Sequence, residues 1–306
     1  MNPEYSIVVP VFNSEQTLVG LYDRTAAVFT KAGYSFEMIF VDDFSQDKSW
    51  EVLVNLKKQY PETVTAIKLA KNFGQHNAVF CGLEHSQGKL IITIDDDLQI
   101  PPEEITKLIQ VYLEKDADLV YGYFGNKKHS LVRNLGSYFI KKSSRILLHS
   151  PGEGSSFRLI TAGLVANILK HQQHFMYIDE LLLWYTSNIA FTEVKHEKRS
   201  VHRSGYSTWK LFKLSANIVI YYTAVPLRIM TYGGFILSVL SFISGVRFIV
   251  NKITHDVPLG YTSLIVAILF STSIIMLCLG LIGEYLTRIY QVQNKKPPYS
   301  IKKILK

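Results

Sequence analysis

Cysteine is scarce: Cys81 and Cys278 are the only two in 306 residues. They cannot build a CxxC metal site or a disulfide framework, a usage suited to a reducing compartment. A secretory leader is missing too. Met1-Asn2-Pro3-Glu4-Tyr5 has no basic n-region and the apolar run Ile7–Phe12 is too short for an h-region, so the first domain is expected in the cytosol. The first apolar run leads into Pro10-Val11-Phe12-Asn13-Ser14 rather than GxGxxG, which argues against a Rossmann dinucleotide site. Gly82–Leu90 falls short of a P-loop: five residues separate its glycines, and Leu90 stands where Ser or Thr should follow Lys89. It reads as a helix end and turn. HExxH and GxSxG do not occur. Charge is also low, at 19%, against about 25% in an average soluble domain, while 48% of residues are hydrophobic. That balance excludes disorder and leads one to expect part of the chain in lipid.

The charge that is present is unevenly placed. Of the formal +8, six positive charges (Arg288, Lys295, Lys296, Lys302, Lys303 and Lys306) fall between Thr287 and Lys306, where there is no acid. The remainder is near balance, so no nucleic-acid groove is expected. Thr231–Val250 carries one charge, Arg247, and Leu264–Gly283 carries none. Each has the ~20 residues that a helix needs to cross a bilayer; a buried soluble helix pair is the alternative. The link between them has Lys252 and Asp256 and no net charge, and the flank beyond is basic. The positive-inside rule then puts both termini in the cytoplasm, with Thr287–Lys306 as a basic, lipid-facing or solvated tail. Gly205–Met230 mixes Trp209, Phe212, Tyr221 and Tyr222 with Lys210, Lys213 and Arg228. It reads as an interfacial amphipathic helix broken at Pro226, or as an ordinary amphipathic helix of the soluble domain. The expected organisation is a cytoplasmic domain over residues 1–204, an interfacial segment over 205–230, and two membrane helices (about 231–250 and 264–286) with the tail over 231–306.

Within the first domain, apolar β-branched runs alternate with amphipathic stretches. Strands are expected over Ser6–Val11, Phe36–Val41, Thr63–Leu69, Leu90–Ile94 and Leu119–Tyr123. Helices are expected from Ser14 to Ala32, stopped by Gly33, over Ser49–Tyr60 and Asn77–Ser86, and from Pro101-Pro102 to Lys115. Such alternation implies an α/β fold, a mostly parallel sheet flanked by helices. Ligands of such sheets bind beyond the carboxyl ends of the strands. Asp42-Asp43 and Asp95-Asp96-Asp97 fall at those ends.

Three carboxylates in a row repel one another, and a divalent cation offsets that cost. Alternate residues of an extended segment point the same way, so Asp95 and Asp97 can share one Mg²⁺ or Mn²⁺ with the Gln99 oxygen near, while Asp96 points oppositely. A solvated acidic turn is the plainer reading.

Four segments then occur in order: Ser6-Ile7-Val8-Val9-Pro10-Val11-Phe12-Asn13, Val41-Asp42-Asp43-Phe44-Ser45-Gln46-Asp47, Asn72-Phe73-Gly74-Gln75 and Asp95–Glu103 (DDDLQIPPE). Together they resemble a family 2 glycosyltransferase of the GT-A fold, in the polyisoprenyl-phosphate branch that includes dolichol-phosphate mannose synthases and phage-type O-antigen glucosyltransferases. Gly280–Tyr290 (GLIGEYLTRIY) resembles the second span of that branch's two-helix members. The resemblance implies roles by position. Pro10, Phe12, Glu15, Asp42, Asp43, Asp95 and Asp96 fall to the nucleotide sugar. Asp95, Asp97 and Gln99 fall to the metal and diphosphate, with Asp97 catalytic. Arg158, in Ser155-Ser156-Phe157-Arg158, falls to catalysis and the acceptor phosphate, Arg203 and Lys210 to the same phosphate, and Glu153 to a weak candidate base. This chain departs from the pattern in having Ser14, not Glu, directly after Asn13, and Glu153-Gly154 before the Arg158 segment.

The implied reaction is inverting transfer of a sugar from a nucleotide diphosphate, UDP by the two-span resemblance, to a polyprenyl phosphate, in cell-surface glycan synthesis. A phosphate monoester has a second pKa near ~6 and is already ionised at neutral pH, so a strong base is not required. Two spans are too few for a sugar channel. Flipping the product then calls for a separate flippase or a homo-oligomer, with spans paired through small residues such as Gly233-Gly234, and a downstream glycosyltransferase would use it. Two other functions suit the same fold. A processive polysaccharide synthase would bring a QxxRW motif and more spans, neither of which is found; a non-catalytic membrane scaffold would not need Asp95, Asp97 and Gln99.

Overall fold

A computed structural model of the chain describes residues 3–124, 156–170, 178–195, 197, 260–293 and 297–306, with isolated helical positions between 232 and 254. The described chain divides into two compact units, Met1–Arg203 with Lys295–Lys306, and Ser204–Asn294. Glu153, Arg203, Lys210 and the 205–230 segment lie outside the described residues.

The first unit is built on the apolar runs. β1 (Tyr5–Val11) is buried along its whole length, as a continuous β-branched run requires when both faces of a sheet are covered. α1 (Leu18–Ala32) buries Leu18, Leu21, Tyr22, Thr25 and Phe29, one stripe at helical spacing, and ends at Gly33. It begins at Leu18 after Thr17, later than the sequence suggests, and the Ser14 hydroxyl, expected as its cap, donates to Asp96 instead. β2 (Phe36–Asp42), α2 (Ser49–Gln59), β3 (Val64–Leu69), α3 (Gln75–Glu84) and β4 (Leu90–Thr93) follow. A 3₁₀ turn at Pro102–Glu104 leads into α4 (Ile105–Lys115), then come β5 (Leu119–Phe124), β6 (Arg158–Thr161), α5 (Ala162–Ile168), α6 (Ile178–Tyr185) and β7 (Ile189–Val194). α1, α2 and α4 cover one face of the sheet; α3, α5 and α6 cover the other.

The sheet is mostly parallel, as expected, but mixed: β1–β5 and β7 run one way, and β6 and β8 (Ile301–Leu305) run the other, two return strands absent from the sequence reading. Its order is β7-β5-β6-β4-β1-β2-β3-β8, and β6 runs antiparallel to both β4 and β5. The long stretch between β5 and β6 hides that return strand from a reading based on alternation. The C-terminus is not simply a tail of the membrane part. β8 (Ile301–Leu305) pairs antiparallel with β3 from Ala66↔Leu305 to Leu69↔Ile301, and Ala70 N–H donates to Ser300 O (2.8 Å). Ile301 and Ile304 pack on the core while Lys302 and Lys303 stay exposed, the pattern of an edge strand that lysine protects from further pairing.

The second unit contains α7 (Tyr261–Gln293), 33 residues long. Among the described residues no helix is long and apolar enough to cross a membrane. Side chains of α7 are described only at intervals, so the uncharged run Leu264–Gly283 is a property read from the sequence.

Candidate functional site

The carboxyl ends of β1, β2 and β4 lie side by side, since β1 pairs in parallel with both neighbours. The loops that leave these ends are tied together by their own acids. After β1, Asn13 N–H donates to Ser45 Oγ (3.0 Å) and Gln46 N–H donates to Asn13 Oδ1 (2.8 Å). Glu15 Oε2 accepts Lys48 N–H (2.9 Å). Pro10 is buried within β1 and Phe12 is 48% exposed at the mouth of the site.

After β2, Asp42 accepts Ser45 N–H (2.9 Å) and faces Lys68 Nζ at 3.5 Å. Asp43 is 3% exposed and spends both oxygens on the backbone before α3: Oδ1 accepts Phe73 N–H (2.6 Å) and Oδ2 accepts Gly74 N–H (2.8 Å). Burial raises its pKa in spite of these bonds. Gly74 has φ +90° and ψ 155°, a conformation nearly confined to glycine, which lets its amide turn toward Asp43.

The acidic loop after β4 splits in two directions. Asp96 reaches back to the first loop, where Oδ2 accepts Phe12 N–H (2.9 Å) and the Ser14 hydroxyl (2.5 Å), and its carbonyl accepts the Thr17 hydroxyl (2.5 Å). Burial pushes Asp96 up to about 6 against the hydrogen bonds from Ser14 and Phe12, and Asp95 and Asp97 add to the rise. Asp95 instead accepts Gln75 Nε2–H (2.7 Å) and the Ser156 hydroxyl (2.5 Å). Asp97 accepts Gln99 N–H (3.1 Å) and Gln99 Nε2–H (2.6 Å), so the amide nitrogen of Gln99, not its oxygen, meets that carboxylate. Three non-glycine residues with positive φ, Asn13 (55°), Phe44 (65°) and Leu98 (55°), sit in these three loops. Left-handed backbone at such residues costs about 1–2 kcal/mol each and gathers at functional sites.

The donor set suits a hard cation. Among the described residues no group of three His, Cys, Asp or Glu side chains could hold a metal by itself. Mg²⁺ usually takes only one or two carboxylates from protein, the rest of its shell coming from water and substrate phosphate, so an acidic loop without a third ligand is compatible with such an ion.

Arg158, expected at the acceptor phosphate, opens β6 at 2% exposure, with Nη1 on Asp179 Oδ1 and Nε donating to Thr93 Oγ1 (3.2 Å). Tyr121 O–H donates to the same Asp179 oxygen (2.9 Å). Gln75, Ser156, Asp179 and His76, which burial keeps below its usual pKa, were not singled out from the sequence. Gln75 stands in the Asn72–Gln75 motif and Ser156 in the Arg158 segment, so a signal was present; Asp179 sits in an ordinary amphipathic helix and had none.

The chain matches the model of the family "Glycosyl transferase family 2" over residues 6–163 and that of the "GtrB C-terminal hairpin" over residues 225–289. It is 32% identical to a prophage bactoprenol glucosyl transferase homolog of Escherichia coli K12, over 98% of this chain and 99% of that one. It is 31% identical to an undecaprenyl-phosphate 4-deoxy-4-formamido-L-arabinose transferase of Photorhabdus laumondii, over 98% and 94%. Among solved structures, the mannosyltransferase PcManGT of Pyrobaculum calidifontis, determined with GDP-Man and Mn²⁺, shares the fold at TM-score 0.51 and 14% identity, over 74% of this chain and 65% of that one.

Proposed function

The chain belongs to glycosyl transferase family 2 and is a glycosyltransferase, and from that premise we propose that it transfers a sugar from a nucleotide diphosphate to a polyprenyl phosphate of the undecaprenyl type. The observation that carries the reading is the full-length likeness to bactoprenol and undecaprenyl-phosphate transferases, joined to an acidic loop closing the carboxyl end of β4. UDP is the proposed nucleotide.

In this reading Pro10 and Phe12 border the base, and Asp42, Asp43, Asp96 and Glu15 hold the loops around the nucleotide in shape. Asp95 and Asp97 hold a divalent cation with the donor's diphosphate, and Gln99 steadies Asp97. The cation supplies compensation for the charge that the leaving diphosphate gains. The acceptor phosphate is dianionic at neutral pH, so Glu153 is not needed as a base. Arg203 and Lys210 remain the proposed grip on the acceptor phosphate, and transfer is inverting.

Membrane attachment has two supports. Tyr232, Ile236, Leu240, Ile243 and Val250 in the first stretch, and Leu264, Ile268, Phe270, Met276 and Leu279 in the second, are exposed apolar side chains. Water penalises such a surface and lipid does not. In addition, β8 belongs to the same sheet as β1–β7, so any crossings of a bilayer by the chain between them must be even in number. Two spans satisfy that condition, and the basic residues 295–306 favour the cytoplasmic side for both termini. Product flipping then falls to another protein.

The test is to incubate membranes containing the protein with a panel of radiolabelled nucleotide sugars and a short polyprenyl phosphate. Label in a lipid-extractable, mild-acid-labile product supports the proposal. Label in polymer would make the protein a processive synthase, and no transfer from any donor would leave a scaffold.

A further inference from the structure

An ion pair is sealed under the acidic loop. Tyr121, Arg158 and Thr93 stand opposite one another across β5, β6 and β4, so their side chains share one row on one face of the sheet. Two residues further along the same ladder are Ser156 and Asp95, joined by a hydrogen bond of 2.5 Å. Thr93 Oγ1 links the two rows by donating to Ser156 O while accepting from Arg158 Nε. α6 supplies Asp179 to the Arg158 guanidinium, and α3 supplies Gln75 to Asp95. Arg158 feels both carboxylates, and Asp179 is the stronger. His76 lies near the pair, and burial and the Arg158 charge lower its pKa while Asp179 opposes them.

A buried ion pair is seldom the cheapest way to fill a core, since apolar residues of similar volume usually serve as well or better. We propose that Asp179 is a positioning residue for the donor site: it holds Arg158 one row below Asp95, so that Asp95 stays with Ser156 and Gln75, available to a divalent cation that would accompany the donor's diphosphate, instead of becoming the counter-ion of Arg158. This rests on the reading of the acidic loop as the diphosphate site. Asp179 touches neither donor nor acceptor; it acts through Arg158. Without its charge, the buried guanidinium draws on Asp95, the nearest remaining carboxylate of the ladder.

The test is a double-mutant cycle on the full-length protein in detergent, read by thermal unfolding and by UDP binding in the presence of Mn²⁺. Asp179→Asn keeps the shape of the side chain and removes its charge. Asp95→Asn is expected to shift Tm little in the native background and by several degrees more in Asp179→Asn, where Asp95 has become the partner of Arg158. UDP affinity is expected to fall about tenfold or more in Asp179→Asn and to return to within about threefold in Arg158→Met/Asp179→Leu, where no buried charge is left to pair. A Tm cost of Asp95→Asn that is the same in both backgrounds overturns the proposal, as does a double variant that binds UDP as weakly as Asp179→Asn. Failure of the unaltered protein to bind UDP would refute the donor reading instead, and the Tm cycle would still decide the linkage.

Discussion

Asp43 offers the sharpest distinction between holding a nucleotide and holding the loop beneath it. Its motif suggests direct contact with base or ribose, yet both oxygens accept backbone amides, from Phe73 at 2.6 Å and Gly74 at 2.8 Å, at 3% exposure. Asp43→Asn preserves one acceptor and turns an NH₂ toward the other amide. The variant loses a hydrogen bond to a charged group, worth about 1.5–3 kcal/mol, and leaves a buried N–H facing a donor, which costs about 1–3 kcal/mol more. Burial already raises the carboxyl's pKa, so the charge is worth less here than at a solvated site, and the lower end of the sum, about 2.5 kcal/mol, is expected. For a unit of this size that is a fall in Tm of roughly 5–10 °C. The assay is thermal unfolding of the ligand-free protein in detergent, followed by UDP binding at a temperature where the variant is folded. A variant that unfolds like the native protein but binds UDP poorly would refute this reasoning and make Asp43 a direct nucleotide ligand.

Other expectations follow from single sites. Gly88→Ala is expected to lower stability by about 2 kcal/mol in chemical unfolding, because its Cβ would stand 2.6 Å from the Ser6 backbone nitrogen. Glu180 is raised by burial to about 7 from a usual 4.5. The folded chain keeps this proton longer than the unfolded one, so the group favours folding at low pH and that advantage is lost as pH rises from 4.5 to 7. Glu180→Gln should therefore raise stability by about 1 kcal/mol at pH 8, after allowance for solvent screening of its partly buried side chain, and leave it unchanged at pH 4 in paired melting curves. Deleting residues 297–306 uncovers the β3 edge, and a lower Tm with aggregation on size-exclusion chromatography is expected.

The first five strands were legible because each is a short, mostly apolar run alternating with an amphipathic stretch; β1 and β3 lie within one residue of the expected ends. β6 was not, since Arg158 opens it and its four residues look like loop, and only the antiparallel partners β4 and β5 make it a strand. β8 was hidden for a different reason. Ile301-Lys302-Lys303-Ile304 reads as a charged tail until the β3 edge gives its backbone partners. In the site, the acids were visible as residues but their allegiances were not. Asp96 and Asp43 serve backbone amides of other loops, and no local pattern announces a partner 30 or 84 residues away. Arg158 carried the motif but not its burial, which depends on Asp179 arriving from α6.

The central claim is that the loop from Asp95 to Gln99 grips a nucleotide diphosphate together with a divalent cation. Calorimetric titration of UDP into the full-length protein tests it directly, with Mn²⁺ present, with the metal chelated, and in Asp97→Asn. The account predicts binding only in the first case, with Asp97→Asn melting as the native protein does. Equal affinity in all three would contradict it.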